Sequence, residues 1–348
     1  MSKPTKNLAA VLNTIATSLV IEERPIPIPG PDQVVVQNRA IAVNPIDWKR
    51  QAWGFAISSY PTILGSDISG TVVAVGSKVT NFKTGDRVLS FANGFSSGKD
   101  EDSAFQTYTA TPALSTTKLP DNLDFLQAVM LPMGVGTAGM ALYNDLGLAY
   151  PDLKAPKKNL GSILIWGGAS SVGTMAIQLA RLSGYSVYAV ASETHHAYLK
   201  SLGATAVFDY HSPTVIETVI NAARSAGQPI SLALDTISEA ATLRSTAEIL
   251  SGSGSKESIL AHLLPWAEDV SRPDGVKLSN VSAENIWTSR TDVSAWLFQT
   301  FLPSALGQGL IVPSPKARIV GGGLYGLQAA MDTLKQGVSG EKLIVELE

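Results

Sequence analysis

The stretch from Ile163 to Leu182 reads ILIWGGASSVGTMAIQLARL, and its smallest residues are the ones best placed to do chemistry. Four apolar residues, Ile163 to Trp166, run into Gly167-Gly168-Ala169 and then Ser170, Ser171, Val172 and Gly173. A short continuous apolar run predicts a strand buried on both faces. From Val172 the apolar residues return at helical spacing, through Met175, Leu179 and Leu182, so a helix follows the turn. Such a helix aims its unpaired backbone N–H groups and the positive end of its dipole into the turn. The chemistry is anion binding, and side chains this small let a pyrophosphate reach the backbone. The pattern departs from G-x-G-x-x-G at its middle glycine, because Ser170 stands between Gly168 and Gly173. Two other readings compete: a glycine-rich turn with no ligand, and a membrane span, since no charged residue falls between Lys158 and Arg181. Paired glycines and paired serines at the centre argue against the span.

The bulk composition narrows the chemistry further. The chain has 348 residues, 45% hydrophobic and 16% charged, with formal net charge -3, which is room for two globular domains or one large one. Lys and Arg, 26 in all, are outnumbered by 29 Asp and Glu and form no basic block, so no nucleic acid is expected as partner. There is no cysteine. Disulfides, thiolate nucleophiles and thiolate zinc ligands are excluded, while the compartment stays open. The opening MSKPTKNLAAVLNT lacks a sustained apolar core, so a cytoplasmic location is expected.

The elements that must position the turn come before and after it. Residues 8 to 115 carry short β-branched runs punctuated by Gly and Pro, the pattern of an all-β unit. Within it stand Val43-Asn44-Pro45-Ile46-Asp47-Trp48-Lys49, where the proline predicts a rigid bend after a strand, the segment YPTILGSDISGTVVAVGS from Tyr60, and Thr84-Gly85-Asp86-Arg87-Val88. From Phe125 the pattern alternates between helix and strand. Strands are predicted at Ile163–Trp166, Ser186–Ala191, Ala206–Tyr210, Ser231–Asp235, Ser258–Leu264 and Gly275–Val281, a doubly wound parallel sheet. Thr137 is a capping candidate at a helix start, and Ser251 to Ser255 a flexible surface turn.

VNPIDWK, YPTILGSDISGTVVAVGS, TGDRV and WGGASSVG fall in the order and spacing of the medium-chain dehydrogenase/reductase superfamily. The chain most resembles its zinc-independent fungal branch, which includes trans-acting enoyl reductases of polyketide biosynthesis. The resemblance covers nearly the whole chain. It implies an α/β fold in which a Rossmann domain, residues 126–299, is inserted in a GroES-like β-barrel catalytic domain of residues 1–125 plus about 300–348. Zinc-dependent relatives hold catalytic zinc with a cysteine where this chain has Asn44 and with a His-Glu pair where it has Ser66-Asp67. Their structural zinc loop corresponds to the cysteine-free region 93–102. A catalytic zinc needs about three soft or borderline ligands, so no metal is expected.

The same resemblance locates the cofactor. In NAD enzymes the second strand ends in an acid that binds the ribose 2′-OH; here Ala191 is the counterpart, followed by Ser192, Thr194, His195 and Lys200, which can donate to a 2′-phosphate. NADPH is therefore the expected cofactor. Glu193 is either the missing acid displaced or a solvent-facing residue at a helix start, and His195 either a ligand contact or a surface histidine. Tyr210 matches a tyrosine that lies against the adenosine phosphate in NADP-using relatives, although a bare tyrosine is more often core or rim. Further cofactor candidates are Asn44, Pro45, Ile46, Asp47, Thr137, Leu263, Leu264, Ser339 and Lys342, with Val338 to Lys342 resembling the segment that folds the C-terminal strand back beside the cofactor.

The reaction expected is hydride transfer to the β-carbon of an α,β-unsaturated carbonyl or acyl thioester, whose developing charge needs only hydrogen-bond donors. Lys49 is the first candidate to orient the carbonyl or relay a proton and Tyr60 the second; either is otherwise a surface or packing residue. Trp287 and Thr288 are substrate candidates, although Trp296, Phe298 and Phe301 nearby read first as a core stripe. Two alternatives stay open: quinone or carbonyl reduction on the same fold, and a non-catalytic NADPH-binding protein. Expected partners are an unsaturated acyl substrate, free or carrier-bound, and a polyketide synthase that supplies it, with no membrane. Monomer and homodimer are both open.

Overall fold

A computed structural model describes residues 6–255 and 257–348; the first five residues of the opening segment lie outside the described residues. The chain divides into two compact units, Met1–Met133 with Glu284–Glu348, and Gly134–Ala283.

The first unit is built on a seven-stranded sheet whose path runs Lys316–Val320, Glu341–Glu346, Gln33–Ala42, Asp67–Val75, Arg87–Phe91, Thr116–Lys118, with Tyr108–Pro112 also paired to Gln33–Ala42. A three-stranded sheet of Val20–Arg24, Asn7–Leu12 and Thr62–Ile63 completes it. Val11, Leu12, Val34, Ile41, Ile68, Phe105, Leu327, Met331 and Leu343 lie in its buried core. The C-terminal strand Glu341–Glu346 lies antiparallel to Gln33–Ala42, with Ile344 opposite Ala42, and on its other side parallel to Lys316–Val320. That return makes the unit discontinuous in sequence. Residues 284–299, which the resemblance assigned to the Rossmann domain, fall in this unit. Trp287 Nε1 donates to Ser115 Oγ at 3.0 Å, and Thr117 Oγ1 donates to the Phe298 carbonyl at 2.6 Å.

The predicted bend at Pro45 is a helix, Pro45–Trp53. Proline at the first helical position loses no bond, since that N–H has no partner in any helix, and its fixed φ suits the turn. Asn44 leads in from extended backbone (φ -126, ψ 156), and Gly54 ends the helix at φ +66, donating its N–H to the Arg50 carbonyl.

The second unit carries a six-stranded parallel sheet in the order Ala206–Phe208, Ser186–Val190, Ser162–Trp166, Ile230–Asp235, Ser258–His262, Val276–Asn280. Counted along the chain this is 3-2-1-4-5-6, the doubly wound arrangement in which ligands bind outside the carboxyl ends of the strands, where the order reverses. Every residue of Ser162–Trp166 is buried, and Leu164, Trp166, Val190, Val219, Ala233 and Leu260 belong to the core beneath. The membrane-span reading of 158–181 fails because the stretch breaks into that strand and the helix Ser171–Leu182, with Gly167 at φ +76 between them. A different run, Phe125–Asp145, is long and apolar enough to cross a membrane by composition, and 72% of its apolar window is buried inside the protein. Thr137 lies within the helix Pro132–Gly139, not at its start, so it caps nothing. Ser253, read as part of a flexible turn, is buried and donates to the Ile230 carbonyl at 2.5 Å.

Candidate active site

Three segments far apart in sequence meet at the end of the strand Gln33–Ala42. Its neighbour starts with Asp67 directly opposite Ala42, and Val43 donates its N–H to the Leu343 carbonyl of the C-terminal strand at 3.1 Å. This register delivers Asn44, Asp67 and Lys342 to one point. Lys342 Nζ sits 2.8 Å from Asp67 Oδ2, with the two side chains 3% and 0% exposed. Asn44 Nδ2 donates to the same carboxylate oxygen at 2.9 Å and its Oδ1 accepts from Lys342 Nζ. The Met133 N–H supplies Asp67 Oδ1 at 2.7 Å. Both oxygens of Asp67 are thus used, which is what an ionised carboxylate requires before it can be buried. Asn44, Asp47 and Lys342 had been singled out from sequence; Asp67, the hub, had been noted only as a replaced position. Its signal was an acid at the head of a strand rich in β-branched residues.

Asp47 extends the set. Its Oδ2 accepts the Asn44 N–H at 2.8 Å, a first-turn carboxylate closing the helix start. Burial pushes its carboxyl up to about 7, and the negative charge of Asp67 adds to the shift, while the Asn44 N–H, Arg50 and Lys342 oppose it. Pro45 is exposed and Ile46 half-buried on the outer side of the same turn. Lys49 is half-buried with its ammonium 5.7 Å from the Trp48 ring centroid. The Tyr60 hydroxyl is buried without a hydrogen-bond partner.

In the second unit the glycine turn has the form expected of a phosphate cradle. Ser170 caps the helix Ser171–Leu182, its Oγ accepting the Gly173 N–H at 2.9 Å. Thr236, at the end of the strand Ile230–Asp235, lies with its hydroxyl 2.9 Å from Ser170 Oγ and within reach of the Trp166 and Gly167 carbonyls, at 2.9 and 3.0 Å. Sequence reasoning missed Thr236, whose signal was a hydroxyl just past the strand where the order reverses. A Cβ on Gly173 would lie 2.3 Å from the Gly167 carbonyl oxygen, which backbone packing does not tolerate, and one on Gly167 would lie 2.4 Å from Thr236 Oγ1 at a left-handed φ of +76. Ser171 Oγ is buried and lacks a partner. An orphaned hydroxyl beside the first-turn N–H groups fits a dinucleotide's pyrophosphate.

At the end of the second strand, Ala191 is buried and donates its N–H to the Phe208 carbonyl at 3.0 Å. Ser192 and His195 are half-buried, whereas Glu193, Thr194 and Lys200 are exposed. His196 turns its Nε2 back to the Ala191 carbonyl at 3.1 Å, which fixes this corner. Tyr210 is 48% exposed, its ring 4.0 Å from that of His211. The N–H and imidazole of His211 hold the Asp209 carboxyl below its usual range. The backbone of Leu263 and Leu264 is engaged within this unit: Leu263 N–H with Ser238 Oγ at 2.8 Å and the Leu264 carbonyl with His262 Nδ1 at 2.6 Å. Ser339 and Thr288 are exposed. Trp287 packs its ring 4.3 Å from Phe91, so its indole is anchored in the first unit.

Comparison with known proteins identifies the family and the fold. Residues 30–121 match the alcohol dehydrogenase GroES-like domain and residues 171–257 the family described as zinc-binding dehydrogenase. Among curated proteins, the chain is 37% identical over 317 residues to the trans-enoyl reductase himH of Aspergillus japonicus, covering 90% of each chain. It is 39% identical to the dehydrogenase azaJ of Aspergillus niger, covering 98% of this chain and 99% of that one. Among solved structures, an alcohol dehydrogenase superfamily protein from Novosphingobium aromaticivorans superposes with a TM-score of 0.80 at 24% identity, over 98% of this chain and 100% of that one. The CurK enoyl reductase superposes at 0.77 and 18%, covering 98% and 99%. The chain belongs to the medium-chain dehydrogenase/reductase superfamily of oxidoreductases, in the group that contains fungal trans-enoyl reductases.

Proposed function

We propose that this protein is an NADPH-dependent reductase that delivers hydride to the C=C bond of an α,β-unsaturated carbonyl or acyl thioester. The observation that carries the reading is the closed set of Asn44, Asp67 and Lys342, in which Asn44 and Asp67 stand at positions that the resemblance matches to ligands of zinc-dependent relatives. Its polar atoms are spent on one another, so the substrate best suited to the chain is one whose developing negative charge is met by hydrogen-bond donors. The relatives named trans-enoyl reductase, himH and tndF of Aspergillus flavipes, at 37% and 35% identity, support the same class.

A nicotinamide cofactor, when bound, would supply the hydride. The chain's own residues hold, orient and protonate. Ser170, Ser171, Val172 and Gly173 would take the pyrophosphate, and Ser192, Thr194, His195, Lys200 and Tyr210 the 2′-phosphate, with Ala191 removing the acid that would repel it. Asn44, Asp47 and Lys342, bonded among themselves, set the backbone at the start of Pro45–Trp53 from beneath. Lys49 is assigned to the substrate carbonyl or to proton delivery at the α-carbon, with Tyr60 as the alternative donor. A carrier-bound acyl group from a polyketide synthase is the substrate class that the trans-acting relatives favour.

The test is anaerobic oxidation of NADPH, with NADH in parallel, against enones, enals, acyl thioesters and quinones. Alkene saturation, seen as a product heavier by two hydrogens, supports the proposal. Turnover of quinones alone, with redox cycling, transfers the chain to quinone reduction. Tight NADPH binding with no oxidation of any member makes it a non-catalytic binder.

A further inference from the structure

Arg50 sits in the last turn of the helix Pro45–Trp53 and is only 5% exposed. A guanidinium has five N–H donors, and a buried charge is ordinarily paired. Here Nε is buried without a partner, and Nη2 reaches only the Ala56 carbonyl, at the long distance of 3.4 Å. Arg50 takes part in no ion pair with a described carboxylate within 4.0 Å. Its one close companion is the face of Phe95, 5.2 Å from the guanidinium carbon. The same side chain lines a cavity of about 310 Å³ walled by Ser58, Ser59, Thr62 and Ser103, entirely from segments of the first unit. The Tyr60 hydroxyl is also buried without a partner.

We propose that this cavity binds a small oxyanion, a carboxylate or phosphate group, whose oxygens take the unfilled donors of Arg50. Two carboxylates lie on the wall, and neither serves the guanidinium. Asp100 Oδ1 is occupied by the Ile63 N–H at 2.9 Å, and Glu101 stands exposed next to the exposed Lys99. Asp47, one turn back on the same helix, is turned to the Asn44 N–H. An arriving oxyanion brings the planar two-oxygen edge that a guanidinium fork accepts in parallel bonds. The cavity is walled by residues of the first unit, whereas the phosphate cradle is built from residues of the second, and the inference stands whether or not the reductase assignment does.

Calorimetric titration of the whole chain with potassium phosphate and, separately, potassium acetate tests it, chloride being exchanged to hold ionic strength. Because the glycine turn also takes phosphate, the informative quantity is the binding that Arg50→Gln removes. We expect saturable binding in the millimolar range for at least one anion, weakened about tenfold or more in Arg50→Gln. Preference for phosphate marks a phosphate monoester as the natural ligand; equal or better binding of acetate marks a carboxylate. If Arg50→Gln does not fold, Arg50→Lys keeps the charge and loses the fork, and weakens binding about threefold or more. Absence of saturable binding up to about 50 mM, or equal binding by wild type and the variant that folds, overturns the proposal.

Discussion

Lys342 and Asp67 form an ion pair of 2.8 Å between the C-terminal strand and the head of Asp67–Val75, and neither side chain has meaningful contact with solvent. Such a pair contributes little net stability against an apolar replacement, but removing one partner strands the other charge. Lys342→Met is expected to destabilise the protein by about 3–5 kcal/mol. Adding Asp67→Asn in the same chain should recover a large part of the loss. Denaturant unfolding of the two single variants and the double variant measures the coupling; strictly additive losses would contradict the arrangement.

Asp47 makes stability depend on pH. Its carboxyl rises from 3.8 to about 7 in the fold, chiefly by burial, so folding favours the protonated form. The contribution is fully present below the unfolded value and is lost as pH rises through the window from 3.8 to about 7. Asp47→Asn keeps an acceptor for the Asn44 N–H and removes the titration. The stability of the variant relative to wild type should therefore grow from pH 4 to pH 7 and then level off. Parallel profiles for the two proteins would show that Asp47 does not titrate there.

The cradle predicts two different losses. Ser170→Ala removes the cap on Gly173 and should cost about 1 kcal/mol, read as a lower melting temperature. Gly173→Ala meets the Gly167 carbonyl oxygen at 2.3 Å and must push the helix from the strand, so nucleotide binding should fall by far more than stability does. Fluorescence titration with NADPH distinguishes the two, and normal affinity in Gly173→Ala would remove the turn as the site.

Cofactor choice should turn on Ala191. An acid introduced there by Ala191→Asp meets a 2′-phosphate with like charge and a 2′-hydroxyl with an acceptor. The ratio of NADPH to NADH affinity is expected to drop about tenfold or more, equivalent to about 1.4 kcal/mol. An unchanged ratio would mean that the second strand does not present its end to the ribose.

Lys49→Ala tests proton delivery. If Lys49 serves the reacting carbonyl or α-carbon, kcat should drop about a hundredfold while NADPH affinity holds; unaltered turnover assigns Lys49 to the surface of its helix.

Much of this protein is set by local sequence. The apolar run Ile163–Trp166, the small residues after it and the helical spacing from Val172 specify a strand, a turn and a helix by their own periodicity and backbone freedom. The absence of cysteine follows from residue identity alone, whereas the matching of Asn44, Ser66 and Asp67 to ligand positions rests on the resemblance to zinc-dependent relatives. Pro45 was ambiguous, since the same ring suits a bend or a first helical position, and packing against the rest of the unit chose the helix. Asp67 as the hub of Asn44 and Lys342 was signalled only by an acid heading its strand, because its partners depend on the strand register that sets Ala42 against Asp67 and Ile344. The unfilled donors of Arg50 likewise exist only in three dimensions. A sequence states that a guanidinium is present, but the fold decides that it is buried against a polar cavity with no ion pair to a described carboxylate within 4.0 Å.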